Sequence, residues 1–165
     1  MKKNLFCIAK NKIGTKNMIL AMLIILCLGF IWINSLMPAN VSGEMSGFVG
    51  KLLTKIFGDG FAANEHIIRK LAHGTEFMLY GVIIALFLYP KLLPRLHIAV
   101  MSGIFTALFD ETLQLFTVGR SGQIKDVWID FSGYTAGVVL VIIVQILIEE
   151  GWLKQYKEKF FGKKS

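Results

Sequence analysis

With 165 residues, 55% of them hydrophobic and only 18% charged, the chain has room for one domain but lacks the composition of a soluble one, where about a quarter of residues carry charge. A mean hydropathy of +0.60 and long uncharged runs point to an integral membrane protein. The net charge of +7 gives no reason to expect a nucleic-acid partner, because the lysines flank apolar segments in the manner that sets membrane orientation.

Residues 1–17 form a basic leader, expected in the cytoplasm. Met18 to Met37, "MILAMLIILCLGFIWINSLM", is an uncharged run of twenty residues, and at ~1.5 Å per residue it spans roughly 30 Å of hydrocarbon. Its apolar length exceeds the roughly 7–15 residues of a cleaved signal core, so it reads as a retained first span, although "MPA" offers a cleavage site. Cys7 lies in the leader and Cys27 in this run, which gives no disulfide framework. The first outer loop carries "GFVGKLLTKIFGDGF", which puts Phe48, Val49, Leu52, Leu53, Ile56 and Phe57 on one helical stripe with Lys51 and Lys55 turned away. That pattern suits a short helix lying in the outer interface, or one packed as a lid over the bundle.

Further spans are predicted over about Leu71 to Tyr89, Leu96 to Phe116 and Val127 to Ile148. "YPKLLPRL" (Tyr89 to Leu96) is a short turn bracketed by prolines that halt helix continuation. The predicted fold is all-α: a polytopic four-transmembrane-helix bundle over 18–148, a short interfacial amphipathic helix in the first outer loop, and a basic cytoplasmic tail over 149–165. Twelve Lys and Arg residues fall on the inner side and six on the outer if both termini are cytoplasmic, which sets that orientation in a multi-pass cell-membrane protein. Trp32 and Trp128 then suit the outer boundary, and Trp152 and Tyr156 the inner one.

The polar residues of the spans are not scattered. Arg69, His73, Glu76 and Tyr80 descend one side of the second span. Asp110 and Gln114 share a side near the end of the third, with Glu111 beside them, and Asp126 and Asp130 lie one turn apart at the start of the fourth. Arg120 occupies the intervening loop. Glu76 and Asp110 both come out within roughly 10 Å of the outer boundary at ~1.5 Å per residue. An ionisable group in hydrocarbon costs at least ~2.5–3.5 kcal/mol, so these groups are expected to face one another or a watery cavity. Gly133 and Gly137 form a small-xxx-small pair that lets a neighbouring helix come close.

"RKLAHGTEFMLYG" (Arg69 to Gly81) and "DETLQLFTVGRSGQIKDVWIDFSGYTAG" (Asp110 to Gly137) resemble the VanZ-like family, named for a teicoplanin-resistance accessory protein, and "NSLMP" (Asn34 to Pro38) is similar to the end of that family's first helix. Two positions depart from its pattern: Gly74, where Phe or Tyr often follows the His, and Asp130, where Asn is common. The resemblance implies a polytopic bacterial membrane protein of the cell envelope, with some members linked to glycopeptide resistance. It implies no particular reaction.

Three readings of the cluster stay open. Its near-balance of charge suits a structural ion-pair network that specifies packing. Arg69 and Arg120 could instead clamp a phosphate or carboxylate, as guanidinium groups do bidentately, which points to membrane lipids, a lipid-linked cell-wall precursor or a lipoglycopeptide as partners. In an enzymatic version, a hydrolase or transferase, His73 would transfer protons, oriented by Glu76 or Asp110. No catalytic residue is assigned and no cofactor is expected: "GRSGQ" breaks the Gly-x-Ser-x-Gly pattern, and there is no Gly-Lys-Ser/Thr loop. No metal is expected either, since His73 and Glu76 three apart on a helix are not a recognised ligand pair. Carboxylates confined to one leaflet make no continuous path for transport.

Overall fold

Proline is absent from the sequence of every long apolar run, Pro38 immediately precedes the second helix, and Pro94 sits in a short 3₁₀ turn, so no long helix contains the residue that would break it. The computed structural model describes residues 2–57, 65–89 and 91–161, with side chains described between 14 and 151 only. It contains five α-helices among those residues: α1 (Lys2–Ser35), α2 (Ala39–Phe57), α3 (Glu65–Leu88), α4 (Leu96–Leu115) and α5 (Ile124–Phe161), with a short 3₁₀ turn at Leu93–Arg95. No strand occurs among the described residues. Four stretches are long and apolar enough to cross a bilayer: Gly14–Ser35, Ile67–Leu88, Leu93–Leu115 and Ile124–Gly151. Large apolar side chains on their outer surfaces, such as Ile25, Phe105 and Ile148, are exposed, as lipid-facing residues must be. The chain is a multi-pass membrane protein.

The predicted spans are reproduced, with shifted ends. The first helix stops at Ser35, two residues before the end of the predicted run, and its backbone continues through the basic leader back to Lys2. The last runs on through the basic tail to Phe161. The helix between the first two spans is longer than predicted: it starts at Ala39, immediately after Pro38, because no proline between there and Phe48 interrupts it. Phe48, Leu52 and Ile56 stay exposed along with Lys51 and Lys55, so this part of the stripe is not covered by the bundle and is free to enter a membrane surface. The side chains of Val49, Leu53, Phe57, Trp152 and Tyr156 lie outside the described residues. Trp32 is half-buried and packs on Phe109 with ring centroids 4.9 Å apart, while Trp128 is exposed.

The most extensive helix pair is α3 with α5, and glycines make it possible. A Cβ at Gly133 would collide with the carbonyl oxygen of Gly74, and one at Gly137 with that of Met78. One at Gly81 would strike the carbonyl of Tyr134. Backbone therefore touches backbone along the seam, the close approach that small residues permit between membrane helices. Beneath the polar end lies an apolar layer. Phe77 is fully buried, and Tyr134, 1% exposed, donates its hydroxyl to the Ala99 carbonyl at 2.7 Å. Tyr80 shares a 2.7 Å hydrogen bond with Ser102 and lies 5.4 Å from the Tyr134 ring. Tyr80 thus belongs to this layer and not to the polar site towards which its stripe leads.

A side chain in the seam must drive the helices apart. Gly137→Val is expected to lower stability by about 1–3 kcal/mol, the usual cost of overpacking, whereas Gly29→Ala, with open space around it, should be neutral or mildly stabilising. Thermal unfolding in detergent, with membrane abundance measured in parallel, reads the difference.

Candidate functional site

The polar residues meet at one end of the bundle, where α1, α4 and their connections finish and α3 and α5 begin. Arg69, His73, Glu111, Gln114, Arg120, Asp126 and Asp130 line one cavity of about 80 Å³, together with Lys70, Ser121 and Gln123. That volume holds several waters or a small anionic group, since one water needs only about 10–15 Å³ on this measure. Asp110 and Glu76 do not line it, but Asp110 is fully buried 3.9 Å from the His73 imidazole. All nine residues singled out in the sequence therefore gather in one region.

Asp110 is the centre of the network. Ser35 donates its hydroxyl to Oδ1, and Gln114 donates to Oδ2 at 3.0 Å. The same Gln114 amide donates to Glu111 at 3.0 Å, and the other Glu111 oxygen accepts the Gln123 backbone N–H at 2.7 Å. Glu76 accepts from the Asn34 amide at 2.8 Å. Lys70 and Asp126 form an ion pair at 2.6 Å between the starts of α3 and α5. Arg120 is in the loop between α4 and α5, just after Gly119, whose φ of 76° is the one positive value among the described residues. Burial, and then the nearby Arg69 guanidinium, pull the Arg120 pKa below its ordinary value, while Asp110, Glu111 and Glu76 pull it back. An anion between the two guanidiniums would relieve that repulsion.

Four buried polar atoms of this region have no hydrogen-bond partner among the described residues: His73 Nδ1, Glu76 Oε2, Arg120 Nε and Asp130 Oδ2. Buried polar atoms are rarely left in that state without a ligand, ion or water to meet them. His73, Asp110 and Asp130 also offer ligand atoms within 4.8 Å of one another. The sequence did not suggest this trio, because its members sit on three different helices and no local spacing connects them.

Two residues of α1 were missed as site components. Asn34 and Ser35 end the apolar stretch of α1, and Ser35 is fully buried although it lies at the helix end. The polar pair at the end of the uncharged run, within "NSLMP", was the available signal. Thr117 closes the same corner, donating to the Ser35 carbonyl at 3.1 Å. Lys70, next to Arg69, holds Asp126.

The family model described as VanZ/LLP1 matches residues 20–145, which reaches into all four spans and includes every residue of the cluster. No curated protein and no solved structure matches the chain.

The Ser35–Asp110 bond ties α1 to α4, and hydrogen bonds to charged groups contribute about 1.5–3 kcal/mol. Ser35→Ala is expected to destabilise by that amount in the wild-type background and by much less when Asp110 is already Asn. A double-mutant cycle on thermal stability measures the coupling.

Proposed function

The chain belongs to the VanZ/LLP1 family, and from that premise we propose that it works at the outer face of the cell membrane, where its cavity receives the anionic headgroup of an amphiphile. One observation carries this reading: Arg69, Lys70 and Arg120 border the same small cavity at the end of a membrane bundle. Guanidinium groups recognise phosphate and carboxylate bidentately, and such charge-assisted bonds are roughly twice as strong as neutral ones.

The surroundings of the cavity favour an amphiphile over a free ion. Phe116, Val118 and Ile124, in and beside the loop that carries Arg120, are 80%, 81% and 80% exposed. Apolar side chains so uncovered at a membrane boundary offer contact to an acyl or prenyl tail while the head reaches the arginines. The surplus of Lys and Arg on the leader, the 89–96 turn and the tail supports an orientation with both termini cytoplasmic and the cavity outside. A lipid-linked cell-wall precursor or a lipoglycopeptide fits this description. In this reading the chain contributes to teicoplanin-type resistance by binding one of them.

A membrane-embedded hydrolase or transferase is the second reading, favoured by the placement of His73 beside buried Asp110. There Asp110 would orient the imidazole as a proton-transfer group.

Purified protein in nanodiscs should bind lipids with a phosphomonoester or pyrophosphate head in preference to zwitterionic ones. Arg69→Lys and Arg120→Lys should each weaken that binding at least about tenfold at unchanged membrane abundance. Glycopeptide susceptibility of expressing cells should change in step. Loss of abundance in parallel with loss of phenotype would favour a scaffold role, and conversion of the bound lipid would favour the enzymatic one.

A further inference from the structure

Three cations and three carboxyls line the cavity, but the polar cluster as a whole, with Glu76 and Asp110 behind it, carries an excess of carboxyls. Lys70 and Asp126 neutralise each other in their ion pair. Four carboxyls remain, Glu76, Asp110, Glu111 and Asp130, against two guanidiniums, Arg69 and Arg120, which leaves a formal charge of −2 with His73 neutral. Such an excess between apolar helices must be met by protons or by a cation.

The geometry favours a cation. His73 Nδ1 and Asp110 Oδ2 stand 3.9 Å apart, too far for a hydrogen bond. One ion at roughly 2.0–2.2 Å from each atom spans a gap of up to about 4.2 Å. Asp130 reaches the same place from α5, is 2% exposed, lines the cavity, and leaves its Oδ2 without a partner among the described residues. Closing the 4.8 Å spread of the three ligand atoms to coordination distance asks for side-chain movements of under about 1 Å. Asp110 is already oriented by Ser35 and Gln114, the kind of outer hydrogen bonding that fixes metal-ligating carboxylates.

We propose that His73, Asp110 and Asp130 form a binding site for one divalent transition-metal cation, Zn²⁺ or Mn²⁺, open on its cavity side. One imidazole and two carboxylates suit these ions better than Mg²⁺ or Ca²⁺, which take oxygen ligands almost alone. Three protein ligands leave a position for water or for an oxygen of a bound headgroup. Arg69 and Arg120 border that open side and disfavour a second cation, while an anion held by both would complete the coordination. This deepens the headgroup reading by giving the anion a metal partner, and it rests on that reading only for what occupies the open position.

The test uses the full-length protein in detergent, stripped with a chelator and dialysed, then titrated with Zn²⁺, Mn²⁺, Mg²⁺ or Ca²⁺ alone. Calorimetry, thermal melting and elemental analysis after gel filtration supply the readouts. Wild type is expected to bind one equivalent of Zn²⁺ or Mn²⁺ and to melt at a higher temperature with it. His73→Gln and Asp130→Asn should each weaken binding more than about 100-fold, and Ser35→Ala, acting through Asp110, by about 10–100-fold. Lys51→Gln on exposed α2 should bind as wild type. Each variant is first shown to elute and melt as a folded protein without metal; Asp130→Asn, which keeps the shape of the side chain, serves if His73→Gln does not fold. Absence of stoichiometric Zn²⁺ or Mn²⁺ binding, or binding unchanged in folded His73→Gln or Asp130→Asn protein, overturns the proposal. Phosphate-lipid binding that persists in chelator while the metal titrations fail would remove the metal and leave the headgroup reading standing.

Discussion

A carboxyl group between apolar helices must find its partners inside the protein, because the bilayer core has no water to lend. Asp110 shows how far this constraint shapes the molecule. It sits fully buried near the end of α4, and its two oxygens are answered by Ser35 from α1 and Gln114 from its own helix, with His73 of α3 facing it. Glu111 then takes the remainder of Gln114 and the backbone of Gln123. Each group that is satisfied draws in the helix that satisfies it, so the polar network also determines which helix ends meet.

The α3–α5 seam supplies the other half of the account. Gly133 and Gly137 leave no side chain between α5 and the α3 backbone, and Asp130, less than one turn before Gly133, is carried to the same depth as His73. Were the helices separated by ordinary side chains, that carboxyl would be held away from the imidazole. The Lys70–Asp126 pair fastens the same seam near the starts of α3 and α5. Tyr134 and Phe77 close it from beneath with an apolar layer. The cavity is therefore bordered by the α3–α5 crossing on one side and by the Gly119–Arg120 loop on another.

Much of this was legible in the sequence because hydrophobic runs and charge spacing are local signals. Four spans and the loop helix could be read from hydropathy and helical period, eight of the nine polar residues from their spacing and depth, Arg120 from its place in the connecting loop, and the family from the motifs over Arg69–Gly81 and Asp110–Gly137. Asn34 and Ser35 entered only through the "NSLMP" resemblance and escaped as site components because an uncharged pair adds nothing to the charge pattern that marked the cluster. The trio of His73, Asp110 and Asp130 escaped for a different reason: no local spacing connects α3, α4 and α5 residues, and only the glycine-mediated crossing brings them together. The length of α2 was underread because the amphipathic stripe began at Phe48, whereas the helix itself starts where Pro38 permits it. Helix ends follow caps and prolines more closely than they follow hydropathy.

If the cavity receives an anion at the external surface, as proposed, the exposed Ser121 on its rim offers the most direct test. A cysteine introduced there, with Cys7 and Cys27 replaced by Ala, can be challenged in intact cells with a membrane-impermeant maleimide. Labelling from outside that slows when a phosphate-headed lipid is supplied is the result expected of an outward cavity that holds such a head. Labelling that requires permeabilised cells, or that proceeds at the same rate with lipid present, would contradict it.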